Sequence, residues 1–226
     1  NAKLPPDQKY TIVIDPLLDG VTGVQSVATA AIEKRLVELI KMDMPQVEVK
    51  PFNAANVAVL PLILVGTFTP VNLQGKADEE RNAYRICFSL ADLKTGKIIS
   101  KGLAFSKMDG VDSQPLPFFG DSPIWVNDKV IEGYIKTCQG SKAGDPIHPG
   151  YINTIVAATA IDEAQHAYHA KKYKEALSLY TAALKLPAGD QPRVQTGIYL
   201  SNLKLNRREN AMKAFANLVH VGFDSQ

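Results

Sequence analysis

Residues 84–105 read YRICFSLADLKTGKIISKGLAF. Tyr84, Ile86, Phe88 and Leu90 alternate with Arg85, Cys87, Ser89 and Ala91, the period-two pattern of a strand with two unlike faces. Residues 92–97 (DLKTGK) supply a turn containing Gly96, and residues 98–105 return as a second strand. The stretch predicts a β-hairpin.

Upstream, residues 60–68 (LPLILVGTF) are apolar on both faces and predict a central strand. Val47, Val49 and Phe52 alternate with Glu48 and Lys50, a half-exposed strand, and residues 10–15 (YTIVID) form a third β-branched run. Between these strands Val24, Ala28, Ile32, Leu36 and Leu39 lie on one helical stripe. They predict a helix over 23–42, opened by Thr22 and Gln25 in capping-box form and ended before Pro45. The fold class expected is α+β: a mixed sheet with a long helix on one face, followed by an all-α segment.

Downstream, residues 107–150 are rich in Pro, Gly and Asp yet hold Phe118, Phe119, Trp125 and Tyr134. Aromatic content of this kind predicts an ordered, irregular connection with a helix near 124–137. Exposed, Phe118, Phe119 and Trp125 would be interface anchors; buried, they would seal a joint between two parts. From 151 onward the apolar period is helical, with helix pairs expected around Pro187. The divisions read are therefore an α/β domain over 1–106, the connection over 107–150, and helical repeats over 151–226.

The chain has 226 residues and a net charge of +2. Residues 1–150 carry 16 Lys+Arg against 17 Asp+Glu, and residues 151–226 carry 9 against 6. No strong basic field exists, so nucleic acid is not an expected partner. No apolar run is long enough to span a bilayer. The sequence starts at Asn1 with no visible export signal, which is read as a processed product. Cys87 and Cys138 fit either two reduced core thiols or one disulfide, and composition leaves both readings open.

Two resemblances add to this reading. Ala164, Tyr173, Ala176, Tyr180, Ala183 and the terminating Pro187 make the helical part similar to a tetratricopeptide repeat. Ala211 and Phe215 repeat the Ala176 and Tyr180 positions one period later, whereas Tyr199 and Asn202 depart from the usual small and aromatic residues. About two units are present, fewer than a free-standing stack needs, so the segment should dock on something. The first part, through Leu64-Val65-Gly66 and residues 85–99 (RICFSLADLKTGKII), resembles the α/β domains of the curli-secretion lipoprotein and of the TolB amino-terminal domain. The succession Asp121-Ser122-Pro123, Trp125, Cys138-Gln139-Gly140, Gly144-Asp145-Pro146 and then the helices looks like a group of OmpA-family envelope proteins.

The resemblance implies export to the periplasm, with attachment to the outer membrane as a further expectation, and a Cys87–Cys138 disulfide. Partners implied are other envelope proteins or peptide segments. Peptidoglycan would be bound only through a C-terminal domain that nothing in this sequence matches. A tetratricopeptide groove, if used, would be edged by Lys171, Lys172, Arg193, Asn202 and Arg207.

Catalytic and cofactor patterns are sparse. Glu163 and His166 form Glu-x-x-His with His169 nearby, but a carboxylate-bridged metal site needs a second such motif; no metal and no cofactor is expected. Residues 94–97 (KTGK) join two strands, unlike a phosphate loop. Residues 19–23 precede a helix start whose amides could hold an anion, although a plain strand-to-helix connection is the expected reading. The function expected is a non-catalytic protein-binding scaffold of the envelope. The alternatives are a small-ligand receptor or enzyme with a pocket near 15–23, and a structural subunit of an envelope assembly.

Overall fold

Val13 and Ile12 are neighbours in sequence and both are buried, yet they belong to different cores. Alternation along one strand sends them to opposite faces of a sheet covered on both sides. The computed structural model describes residues 4, 5, 7–72, 74–77, 80–122 and 128–224, and the statements below concern those residues. The fold is α+β with one mixed sheet.

Six strands form it: β1 (Tyr10–Ile14), β2 (Leu18–Asp19), β3 (Val47–Lys50), β4 (Leu62–Val71), β5 (Ala83–Asp92) and β6 (Lys97–Lys107). Their order is β3-β1-β4-β5-β6, with β2 paired to β4. β1 runs parallel to β3 and β4, whereas β4–β5 and β5–β6 are antiparallel. The expected hairpin is β5–β6, with an irregularity at Leu90/Ala91. The apolar run over 60–68 supplies β4 in the middle, where both faces are buried.

Helix α1 (Val27–Asp43) crosses from β1 to β3 and lays Ile32, Leu36, Val37 and Ile40 on Ile12, Ile14, Leu64 and Leu90. It starts four residues later than the sequence suggests. Ser26 caps it, accepting from the Thr29 amide while the Thr29 hydroxyl accepts from the Ser26 amide. Thr22 instead donates to Asp19 Oδ1, which also accepts from the Val21 amide. A short helix α2 (Ala54–Ala58), capped by Asn53, precedes β4.

The connection over 107–150 holds α3 (Pro117–Asp121), α4 (Lys129–Gln139) and α5 (Pro149–Ile152). Asp128 caps α4 by accepting from the amides of Val130 and Ile131, so that helix begins at Lys129 where the apolar pattern had suggested a start near 124. Helix α4 packs on β4 and β5, joining Ile131, Tyr134 and Cys138 to Val65, Cys87 and Ala91. The sheet is thus covered on its second face as well. Four more helices follow: α6 (Ile155–His169), α7 (Tyr173–Ala183), α8 (Pro192–Lys204) and α9 (Arg208–Asp224). Ile155 and Ala158 at the start of α6 pack into the α4 side of the sheet core, so apolar contact is continuous across position 150.

Candidate functional site

The joint between sheet and helices gathers several buried titratable groups. Asp15 follows β1, its amide donating to the Leu64 carbonyl at 3.0 Å. Its carboxylate is 8% exposed and accepts from the Tyr151 hydroxyl at 2.6 Å. Burial lifts Asp15 to about 7; the Tyr151 bond opposes the rise, and the nearby Asp162 carboxylate adds to it. Tyr134 meets Tyr151 edge to face at 5.3 Å. Its hydroxyl accepts from the Gly66 amide at 2.9 Å and donates to the Pro16 carbonyl at 3.0 Å, which ties α4 to β1 and β4.

Beside this point a cleft of about 660 Å³ opens between the sheet layer and the helices. Glu33, Val37, Val49 and Phe52 form one wall, and Asp162, His166, Glu175 and Leu179 the other. Burial, with Asp162 as a like charge, lifts the half-buried Glu33 to about 7. His166 Nδ1 lies 2.9 Å from the Asp162 carbonyl and 3.3 Å from its Oδ1. That contact holds the imidazolium above its ordinary range. Burial and the neighbouring His166 push His169 down to about 4. Lys50 and Lys172 line the same cleft as Asp162, Glu163 and Glu175, so it presents charges of both signs.

His166 thus pairs with Asp162, not with the Glu163 that the Glu-x-x-His spacing singled out, and Glu163 is exposed. The i, i+4 spacing of Asp162 and His166 carried that signal. Among the described residues no group of three or more His, Cys, Asp or Glu side chains is placed to hold a metal ion. Residues 19–23 lead into α1 as a plain strand-to-helix connection. The first amides of α1 are already taken, Val27 by the Gln114 carbonyl at 2.9 Å, Ala28 by that of Asp112 at 2.8 Å and Thr29 by Ser26.

The residues expected at a groove edge do not come together. Lys171 and Lys172 are exposed in the α6–α7 turn, Lys172 in an ion pair with Glu175 at 3.3 Å, and Arg207 is exposed in the α8–α9 turn. Arg193 is half-buried beside Asp15 and Gln165. Asn202 is 3% exposed, its amide turned back to the Ile198 carbonyl at 2.9 Å, so it edges nothing. Its amide nitrogen is thus satisfied within its own helix, while Oδ1 is buried without a hydrogen-bond partner among the described residues.

Phe118 and Phe119 are buried, and so are not free anchors; they seal the joint. Trp125 lies outside the described residues. Phe118 meets Phe119 edge to face at 5.1 Å and packs on Tyr168 and Tyr180, each at 5.9 Å. Asp121 locks the segment, accepting from the Tyr168 hydroxyl at 2.7 Å and pairing with Lys204 at 2.8 Å.

In the helices, Ala164, Ala176, Ala183 and Ala211 are fully buried. The α6–α7 and α8–α9 turns share one geometry. Lys171 and Asn206 both take positive φ (61° and 57°). The amides of Lys171 and Lys172 donate to Tyr168 and Ala167, and those of Asn206 and Arg207 to Leu203 and Asn202. At the α7–α8 contact Gly197 faces Tyr180 so closely that a Cβ there would sit 2.3 Å from the ring.

Cys87 on β5 and Cys138 in the last turn of α4 are both buried free thiols, with sulfurs 2.7 Å apart. Burial raises Cys138, while the hydrogen bond from Cys138 lowers Cys87. A second open groove, about 500 Å³, lies over the stacked rings of Phe68 and Tyr84 (4.1 Å) between Asp19 and Arg81. Comparison with family models, with curated proteins and with solved structures finds no match to this chain.

Proposed function

We propose that this chain is a non-catalytic protein-binding adaptor of the bacterial cell envelope, built from an α/β part and two tetratricopeptide-like hairpins and working in the periplasm beside the outer membrane. One observation carries the reading: the helical hairpin recurs with the same turn geometry at Lys171 and Asn206, around buried alanine seams. Repeats of this kind stack to offer side chains to partner segments, and here Lys171, Lys172 and Arg207 are the exposed cations at the corresponding turns. The resemblance to OmpA-family proteins, on the residues quoted above, supports the envelope setting and an oxidised Cys87–Cys138 pair there.

The test is site-specific photocrosslinking of the intact chain in envelope extract. Probes at Lys172 and Arg207 should capture a discrete partner that a probe at Lys41 on α1 does not. Equal labelling from all three positions, or none from any, removes the adaptor reading.

The cleft favours a second reading, a receptor for a small charged ligand, because its walls set Glu33, Asp162 and Glu175 beside Lys50, His166 and Lys172. Calorimetry with arginine and spermidine tests it: binding lost on Glu33→Gln supports a receptor, and absence of heat with both retires it.

A further inference from the structure

Strands β1, β3, β4 and β6 begin, and β5 ends, at one end of the sheet. Three segments that turn there leave large apolar side chains outside. Helix α1 runs down to β3 with Met42 in its last turn, 71% exposed. The turn from α2 into β4 carries Val59 and Leu60, 73% and 52% exposed. Helix α6 starts beside them, since Ile155 shares a core with Val57 and Leu93, and the next residue, Val156, is 51% exposed. Leu60 has a φ of +52°, the left-handed conformation that follows a helix and ordinarily falls to glycine. A leucine there strains the backbone, and half exposed it recovers little by burial.

Lysines surround these side chains. Lys9 precedes β1, Lys41 lies in the last turn of α1, Lys94 in the β5–β6 turn, and Lys97 opens β6. All four are exposed, and among the described residues none forms an ion pair. Of the carboxylates in the same segments, Asp92 is engaged by the Lys94 amide and the Thr95 hydroxyl, which leaves Asp7 and Asp43 exposed. The strand order β3-β1-β4-β5-β6 spreads the lysines over roughly 20 Å. Apolar side chains on the tips of separate turns offer neither a groove for a helix nor an edge for a strand, and the two grooves described above do not reach them. Projections ringed by free ammonium groups match a soft anionic surface, which parts around each side chain while its headgroups meet the lysines.

We infer that this end of the sheet docks on the surface of an anionic lipid bilayer, with Met42, Val59, Leu60 and Val156 entering the headgroup layer and Lys9, Lys41, Lys94 and Lys97 meeting its charge. The apolar side chains supply affinity and the lysines the preference for anionic lipid. Neither the helical repeat turns nor the cleft takes part, so this contact stands or falls independently of both.

The full chain is mixed with vesicles of phosphatidylcholine, with and without phosphatidylglycerol, and the bound fraction is read by flotation. Binding to the anionic vesicles is expected to be about tenfold tighter and to fall as salt is raised. Leu60→Gly suits the positive φ, so it should melt no lower than the parent and yet bind about tenfold more weakly. Lys41→Ala/Lys94→Ala, at exposed positions, should lose about tenfold on the anionic vesicles alone. Equal affinity for the two vesicles, no flotation with either, or binding that these substitutions leave unchanged each overturns the inference. So does a dimer in light scattering that Leu60→Gly disperses, which would assign the face to a second copy of the chain.

Discussion

Asp15 holds a carboxylate almost wholly out of water, and the consequence is a stability that depends on pH. An unfolded carboxyl titrates near 4, the folded one near 7. Between those values the folded state binds the proton more tightly. Stability therefore declines as pH rises from about 4 to about 7 and stays low above it. Asp15→Asn keeps an acceptor for Tyr151 and removes the charge, so it should be more stable than the parent at pH 8, by up to ~4 kcal/mol. The gap should close by pH 4 in urea melts, and a gap that does not change with pH would show that Asp15 is not the titrating group. Gly197 reverses the usual sign in another way. Ala in a helix ordinarily stabilises by ~1 kcal/mol over Gly, but a methyl here meets the Tyr180 ring. Gly197→Ala is expected to cost about 1–3 kcal/mol by thermal melting. Neither effect was legible in sequence: residues 10–15 read as a strand, and nothing local reveals Tyr151 as the neighbour of Asp15 or Tyr180 as that of Gly197.

Among the elements, α4 is the most consequential, and a helix near its position was expected without the sheet face it covers. It brings Cys138 against Cys87 on β5, 51 positions away in sequence. Oxidation of that pair would fasten the helix to the sheet, with a chain-entropy gain of ~4 kcal/mol as an upper figure. Oxidised protein should melt at a higher temperature than protein in dithiothreitol, and Cys138→Ser should abolish the difference; identical melting in both redox states would exclude the bridge. The α1 boundary shows a different limit of sequence reading. Thr22/Gln25 and Ser26/Thr29 both offer side-chain capping partners, and the choice fell to Ser26 once the carbonyls of Asp112 and Gln114 came to rest on the first amides of α1. Those carbonyls belong to the irregular connection, whose path no period predicts.

At the scale of the molecule, sheet and helices share buried surface. Ile155 lies in the sheet core, Tyr151 bonds Asp15, and Phe118 carries the connection into the helices. Unfolding should accordingly be one transition. Helical circular dichroism and thiol exposure at Cys138 should give the same urea midpoint, whereas separated midpoints would mean that the two parts fold apart. Local patterning determined the hairpin β5–β6 and the central place of β4, because period and residue size act over a few positions. Tertiary structure alone decided that Asp15, Glu33, Asp162 and His166 surround one joint, that Phe118 and Phe119 are sealed within it, and that Leu103 and Phe105 stand exposed on β6. These are facts of burial and of charge proximity between segments remote in sequence, and only packing assigns them.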